Sequence, residues 1–414
     1  MRNVKSWRKL DNAAKIFPAT SGKVDERVFR DVCELNEEIN PEALQKALDT
    51  TIEIFPVFQC VLRSGAFWYY LEDRDIRPMV EEEHTAPCSR IYVHDQKNLL
   101  FRVSYYGKRI NLEVFHALTD ATGSSQFLRT LVYAYLKNVH PEQITGPVYT
   151  YDATDVDKEE DSFAKYYAKV DKNIKIPKYK AYQITGRKHT AMQVIEGRVS
   201  VSGVLAEARA RGVTLTVLLT AVFLKAISME FSPTQKNRIA ALMIPVNMRT
   251  FFPSSSARNY FSWIDIGYDF SANSGELEDI ILFVKEFFQT ELTPERLAVR
   301  NNSFVKMEKN VFARVLPLPI KTLGMKLAMK TSAGDTAIFS NAGKVEMPPE
   351  CAPFIRFFEA FITTPKLQIC SRSYGDNLML CFTTPYTNTN IIRNFFRMLT
   401  EMKLEVEIST NISD

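Results

Sequence analysis

The sequence predicts a two-domain α/β protein built on mixed sheets. Three observations predict it. The chain has 414 residues, a length that suits two domains of ordinary size. Helix signals alternate with strand signals, and several strands are joined by tight hairpins, the pattern of sheets covered by helices. A charged stretch poor in aliphatic residues, 151–180, separates two such runs. Residues 1–150 and 181–414 are therefore expected as the domains, and 151–180 as a surface linker with one short helix.

Each element rests on local chemistry. Asn40 and Pro41 open a helix over 40–55, since asparagine caps well and proline suits the first helical position. Leu44, Ala47, Leu48, Thr51 and Ile52 recur at helical spacing, and Pro56 stops the run. Residues 57–71 read as two strands about a Ser64-Gly65 turn. Residues 99–115 read as a hairpin turning at Tyr106-Gly107-Lys108. There Ile110, Leu112 and Val114 share one face, and Asn111, Glu113 and Phe115 the other. That strand ends at His116. The next helix is expected to be capped by Ser124, with Phe127, Leu128, Leu131, Val132 and Tyr135 as its apolar stripe and Gly123 in the tight turn before it.

After the linker, 191–200 reads as a strand and 201–212 as a helix closed by Gly212. Residues 213–231 form a strongly apolar helix that must be buried on most sides. Strands follow at 238–249 and 260–270, then an amphipathic helix at 276–292. A strand over 336–347 carries a turn at Asn341-Ala342-Gly343. A hairpin over 366–384 turns at Tyr374-Gly375-Asp376-Asn377, and a last helix starts near Asn388 or Thr389.

Composition narrows the function. Hydrophobic residues at 46% and charged residues at 24% are values of a soluble globular protein. A net charge of +4 is too balanced to make nucleic acid the main partner. The opening residues lack the apolar core of a signal peptide, and the longest apolar runs break well short of a transmembrane span, so a cytoplasmic protein is expected. The six cysteines form no CxxC pair and lie mostly in apolar segments, which reads as buried thiols, and no metal site is assigned. No glycine-rich dinucleotide or phosphate loop is present. The 28 Phe and 17 Tyr point to large cores or an aromatic-lined pocket.

His116 is the candidate for chemistry. It stands at a strand-to-helix junction, where a side chain meets the rim of a sheet and clefts form. Asp120 follows four residues later. A histidine with a pKa near ~6.5 accepts a proton at neutral pH.

The stretch FHALTDATG resembles the HHxxxDG motif of the CoA-dependent acyltransferase superfamily. That superfamily includes chloramphenicol acetyltransferase, the plant BAHD acyltransferases, alcohol acetyltransferases and the condensation domains of peptide synthetases. Other marks come in the family's order and span nearly the whole chain. The run from Arg8 to Leu71 resembles its opening strand, helix and hairpin. GVTLTVLLTAVFLKAI resembles its long second-domain helix, IPVNMR its Asn-Arg strand, and RNYFSWIDI its Gly-Asn-Phe element. FSNAGKVEMP is similar to the Ser-Asn-x-Gly strand of the alcohol acetyltransferase branch. Three positions depart from the pattern: Phe115 replaces the first histidine, Ala121 the motif glycine, and Arg258 the glycine before Asn259.

The resemblance implies two chloramphenicol-acetyltransferase-like domains with a channel between them. It implies an O-acyltransferase of the alcohol acetyltransferase kind, with His116 as general base acting directly on an alcohol. Acyl-CoA is then a co-substrate, no cofactor is bound tightly, and no acyl-enzyme forms. Asp120 turns away from the histidine and pairs with an arginine, for which Arg249 is the candidate, so its role is structural. A helix cap is the alternative role for Asp120. Ser340 and Asn341, on a strand whose counterpart lies near the channel, are candidates for the oxyanion, with Asn247 a further one. A simple turn at each place is the alternative. Trp263 and Tyr260 either wall the acceptor pocket or belong to the core.

Two rival readings stand beside this one. The acyl group is carried by an acyl carrier protein and passed to a hydroxyl or amine, or the chain is an inactive scaffold. Between 296 and 330, eight basic residues face only Glu308. This stretch suits the phosphates of CoA, a carrier arm or peripheral contact with an anionic membrane, or is a solvated helix face.

Overall fold

The computed structural model describes residues 6–411 apart from 23–24, 95, 149–161, 168, 171–173, 311–313 and 333. The expected linker over 151–180 falls largely outside the described residues; within it stands a short helix, Ser162–Lys165.

After a short helix, Ile16–Thr20, capping chemistry sets the helix Pro41–Ile54: Asn40 Oδ1 accepts from Ala43 N at 3.0 Å. Its stripe of Leu44, Ala47, Leu48, Thr51 and Ile52 is buried, as the spacing requires. Around it runs the first half of the chain: β1 (Trp7–Lys9), β2 (Val28–Leu35), β3 (Cys60–Ser64), β4 (Tyr69–Asp73), β5 (Val80–Glu82), β6 (Phe101–Tyr106) and β7 (Arg109–Phe115). The second half adds β8 (Lys188–Ser200), β9 (Ile239–Asn247), β10 (Phe261–Asp269), β11 (Ala337–Lys344), β12 (Ile355–Ile362), β13 (Leu367–Tyr374), β14 (Asn377–Tyr386) and β15 (Glu407–Thr410).

Three sheets result, in the orders β1-β4-β3, β12-β2-β7-β6-β5 and β10-β9-β11-β13-β14-β8-β15. Most neighbours are antiparallel; β5 with β6, and β11 with both β9 and β13, are parallel. Helices Pro41–Ile54 and Ala121–Val139 pack together over the five-stranded sheet and bury one core. The apolar helix Leu215–Ser228, with Leu277–Glu291 and Asn390–Glu401, covers the seven-stranded sheet and buries a second.

One strand crosses from the second run of elements to the first: β12 pairs antiparallel with β2 in the five-stranded sheet. All eight residues of β2 are buried, so that strand requires a neighbour on each side, and β12 supplies the second. The helix after β7 starts at Ala121, not near Ser124. Asp120 is its cap, with Oδ1 accepting from Thr122 N at 3.0 Å and Gly123 N at 3.2 Å. A carboxylate there also meets the positive end of the helix dipole, which a serine hydroxyl cannot match. Ser124 donates to Asp31 Oδ2 instead.

All six cysteines are buried and free. Among the described residues no single helix is long and apolar enough to cross a membrane, and no cluster of side chains could hold a metal ion.

Candidate active site

His116 lies where β7 leaves the sheet. Its backbone N–H donates to Arg27 O at 2.8 Å, so the chain is still held to β2's entry as the side chain turns away. The ring stacks on Phe17 with centroids 4.2 Å apart and planes 11° from parallel. Phe29 meets it edge-on at 5.0 Å, and Phe261 lies at 5.4 Å. Three aromatic rings from three elements thus fix the imidazole plane, while the residue stays partly exposed. Burial of the ring pushes its pKa below the ordinary 6.5, against the smaller upward pull of Asp120 and Asn259. At neutral pH the imidazole is uncharged and can accept a proton.

Which nitrogen accepts it follows from the hydrogen bonds. His116 Nδ1 lies 3.1 Å from Asn259 Oδ1. Asn259 Nδ2 donates to Asp11 Oδ2 at 3.2 Å, and the Asn259 backbone N–H donates to the same oxygen at 3.3 Å. A carboxylate can only accept, so the amide nitrogen must face Asp11 and the amide oxygen must face His116. Nδ1 therefore carries the hydrogen, and Nε2 keeps the lone pair. Asp11 is itself held by the Ala14 N–H at 2.6 Å, with Arg258 Nε 3.9 Å away.

Asp120 points elsewhere. Its Oδ2 accepts from Arg249 Nη1 at 2.7 Å and from Tyr260 N at 2.9 Å, in addition to the capping bonds on Oδ1. Asp120 is thus both a helix cap and an ion-pair partner. Arg249 spends its other donors on the carbonyls of Ser256, Arg258 and Tyr260. No hydrogen bond joins Asp120 to His116. The pair instead ties the turn after β7 to the segment 256–260 of the second half.

Gly123 lets that segment come close. A Cβ at Gly123 would stand 2.1 Å from Thr119 Oγ1 and 2.3 Å from Ala257 O. The glycine was expected to serve a tight turn; it serves a close backbone approach inside the first helical turn. Thr119 Oγ1 donates to Ala257 O across the same seam. The seam places Asn259 against His116.

The other sequence candidates are not brought to His116. Ser340 sits on β11 opposite Cys370, and no hydrogen bond links it to His116. The Asn341 amide donates to Thr216 Oγ1 at 2.9 Å and accepts from Gly343 N at 2.9 Å, with Gly343 at φ +79°. That is a turn-forming arrangement, and it leaves the side chain committed. Asn247, at the end of β9, accepts from Arg249 N at 3.1 Å, and its amide donates to Thr122 Oγ1 at 3.4 Å, so it joins the seam after His116 without bonding to His116 itself. Tyr260 is fully buried, with Phe163 edge-on to its ring and Tyr166 stacked, so it belongs to the core. Trp263 also packs against the second core.

Asn259 was visible in the sequence as the residue after Arg258, though without a role. Asp11 carried no local signal, because its partner lies 248 residues away.

No protein-family model matches the chain, and no curated protein matches it. Solved structures do. Polyketide synthase associated protein 5 from Mycobacterium tuberculosis is 15% identical, with a TM-score of 0.63 over 95% of this chain and 97% of that one. TRI101 of Fusarium sporotrichioides, solved with coenzyme A and T-2, is 9% identical, with a TM-score of 0.65 over 97% and 99%. The first condensation domain of the CDA synthetase is 14% identical, with a TM-score of 0.59 over 97% of each. The chain thus shares the mixed α/β fold of these structures, a condensation domain among them.

Proposed function

We propose that the chain is an acyltransferase that moves an acyl group from acyl-CoA to an alcohol, in a ternary complex held in a channel between the halves. The observation that carries this reading is His116, partly exposed, neutral, and held with Nε2 as its open lone pair. Nε2 takes the proton of the acceptor hydroxyl as its oxygen attacks the thioester carbonyl. The tetrahedral intermediate then collapses, the C–S bond breaks, and the CoA sulfur receives the proton from the imidazolium. Asn259 Oδ1 accepts the Nδ1–H throughout and offsets the charge that develops on the ring. Asp120 and Arg249 hold the loop and take no part in proton transfer.

The fold alone does not choose the donor. TRI101 is solved with coenzyme A, while other neighbours are condensation domains. A cytoplasmic site of action fits six free thiols.

The test is CoA thiol release from acetyl-CoA and longer acyl-CoAs against a panel of alcohols and amines. His116→Ala is expected to lower acceptor-dependent release by ~10²–10⁴-fold while the protein stays folded. Release that depends on an amine would change the acceptor class. Absence of release from every CoA donor, with a carrier-loaded donor active in its place, would replace CoA by a carrier protein.

A further inference from the structure

The helix Leu318–Ser332 is inverted. A surface helix ordinarily turns its apolar stripe inward and its lysines outward. Here Ile320, Leu323 and Leu327, at i, i+3 and i+7, are 54%, 59% and 57% exposed. Besides Leu318 at the helix start, 6% exposed, the residue turned inward is Lys321, 8% exposed. Its Nζ donates to Phe67 O at 2.9 Å and Arg314 O at 3.1 Å and stands 3.6 Å from the Trp68 ring centre. The fold thus spends its contacts on a lysine and leaves three large aliphatic side chains facing solvent.

The neighbours extend this face. Val315 and Leu316 are exposed just before the helix. Phe67, at the tip of the β3–β4 hairpin, is exposed beside it, since Leu318 N donates to Ala66 O. Exposed basic side chains stand on the helix and just before it: Lys326 and Arg314. Arg296 and Arg300 are spent on Glu291. Glu308, the acid within 296–330, and Lys330 have side chains outside the described residues.

We infer that this face docks on an anionic lipid bilayer. The chemistry matches on both counts. Aliphatic side chains on one helical stripe enter the boundary between headgroups and acyl chains, and flanking lysines and arginines meet lipid phosphates. A solvated helix face would not gather Leu316, Ile320, Leu323 and Leu327 in one line. The helix lies along the surface rather than across it, for its 15 residues are too few to span a bilayer.

The test is co-sedimentation of the full chain with phosphatidylcholine vesicles, with and without phosphatidylglycerol. Wild type is expected to bind the phosphatidylglycerol vesicles at low salt and to bind phosphatidylcholine alone much less. Leu323→Ser with Leu327→Ser is expected to weaken binding at least about tenfold, as is Arg314→Gln with Lys326→Gln. Both pairs are exposed, so unchanged thermal melting shows that the fold is kept. The inference is overturned if wild type ignores the anionic vesicles or if the serine variant binds as wild type does. It is also overturned if wild type is a dimer that the serine variant turns into a monomer, since a second copy then covers the face.

Discussion

Two buried joints tie the halves together, and they handle charge in opposite ways. Beside His116, one carboxylate meets one guanidinium with every oxygen used. Asp120 accepts from Thr122 N, Gly123 N, Tyr260 N and Arg249 Nη1. At the second joint, Arg109 on β7 stands between three acids. It meets Glu34 at 2.8 Å, both oxygens of Glu196 at 2.9 Å, and Glu359 at 3.2 Å. Arg356 also meets Glu34, which still leaves the acids in excess. Glu359 is fully buried, and burial together with Glu196 pushes its pKa up to about 8. Arg109 holds Glu196 ionised, below its ordinary value, despite the burial of that group. A balanced joint is a fixed frame, and it stands where a base must be held in place. The unbalanced joint keeps a proton, and it stands away from the candidate site.

The sharpest way to break this comparison is to unbalance the first joint. Asp120→Ala removes two capping bonds and strands Arg249 among carbonyls with its counter-charge gone. A loss of ~3–5 kcal/mol in urea unfolding is expected, the cost of a buried charge left alone. Asp120→Asn keeps acceptors for the cap and should lose less. If Asp120→Ala costs under ~1 kcal/mol, the pair is not the frame and the three rings around His116 suffice.

A smaller effect separates framing from chemistry. Asn259→Ala leaves Asp120 and Arg249 untouched but frees the imidazole to take either tautomer. A fall in kcat of about tenfold is expected with KM little changed, short of the loss expected for His116→Ala. The acid limb of the rate profile adds a second readout. If His116 is the base proposed, it works unprotonated, and the rate then falls as pH drops through its pKa, which burial holds below 6.5. The Asn259 hydrogen bond raises that pKa, so its removal should move the limb to still lower pH. A purely structural role would lower the rate and leave the limb where it is.

How much of this was legible depends on sequence separation. Asn40, Gly107 and Gly375 announce their caps and turns because each acts on its own backbone. His116 could be placed at a strand end by the alternation of Ile110, Leu112 and Val114 before it. The choice of Arg249 as partner of Asp120 came from the family resemblance, not from any spacing between them. Asp11 could not be read, since nothing near it marks a residue that will steer Asn259. β12 was missed because Ile355–Ile362 is buried on both faces and shows no alternation. Serine is a common cap, so the sequence points to Ser124, with Asp120 first a partner for arginine and a cap only as the alternative; the fold gives Asp120 both roles. The stripe Ile320, Leu323 and Leu327 has the spacing of a core helix, and only the fold shows that it faces out.

A pH series tests the second joint. Glu359 has a folded pKa of about 8 against an ordinary 4.5, so between those values the folded protein holds a proton that the unfolded chain has lost. Stability from this group is therefore fully present below about pH 4.5 and is lost as pH rises through about 8. Glu196 has the opposite sign. Its lowered pKa gives stability that is lost only as pH falls below the ordinary range, so the two windows do not overlap. Glu359→Gln keeps a donor toward Glu196 and never ionises. It should match wild type in stability below about pH 4.5 and exceed it increasingly as pH rises toward 8, by several kcal/mol, on the order of 1.4 kcal/mol for each pKa unit. Cys381, whose thiol lies 3.5 Å from Glu359, stays protonated throughout and leaves the slope alone, because burial beside these acids holds its pKa well above the ordinary thiol value. Wild-type and Glu359→Gln curves that run parallel across this window would mean that the second joint carries no extra proton and is balanced like the first.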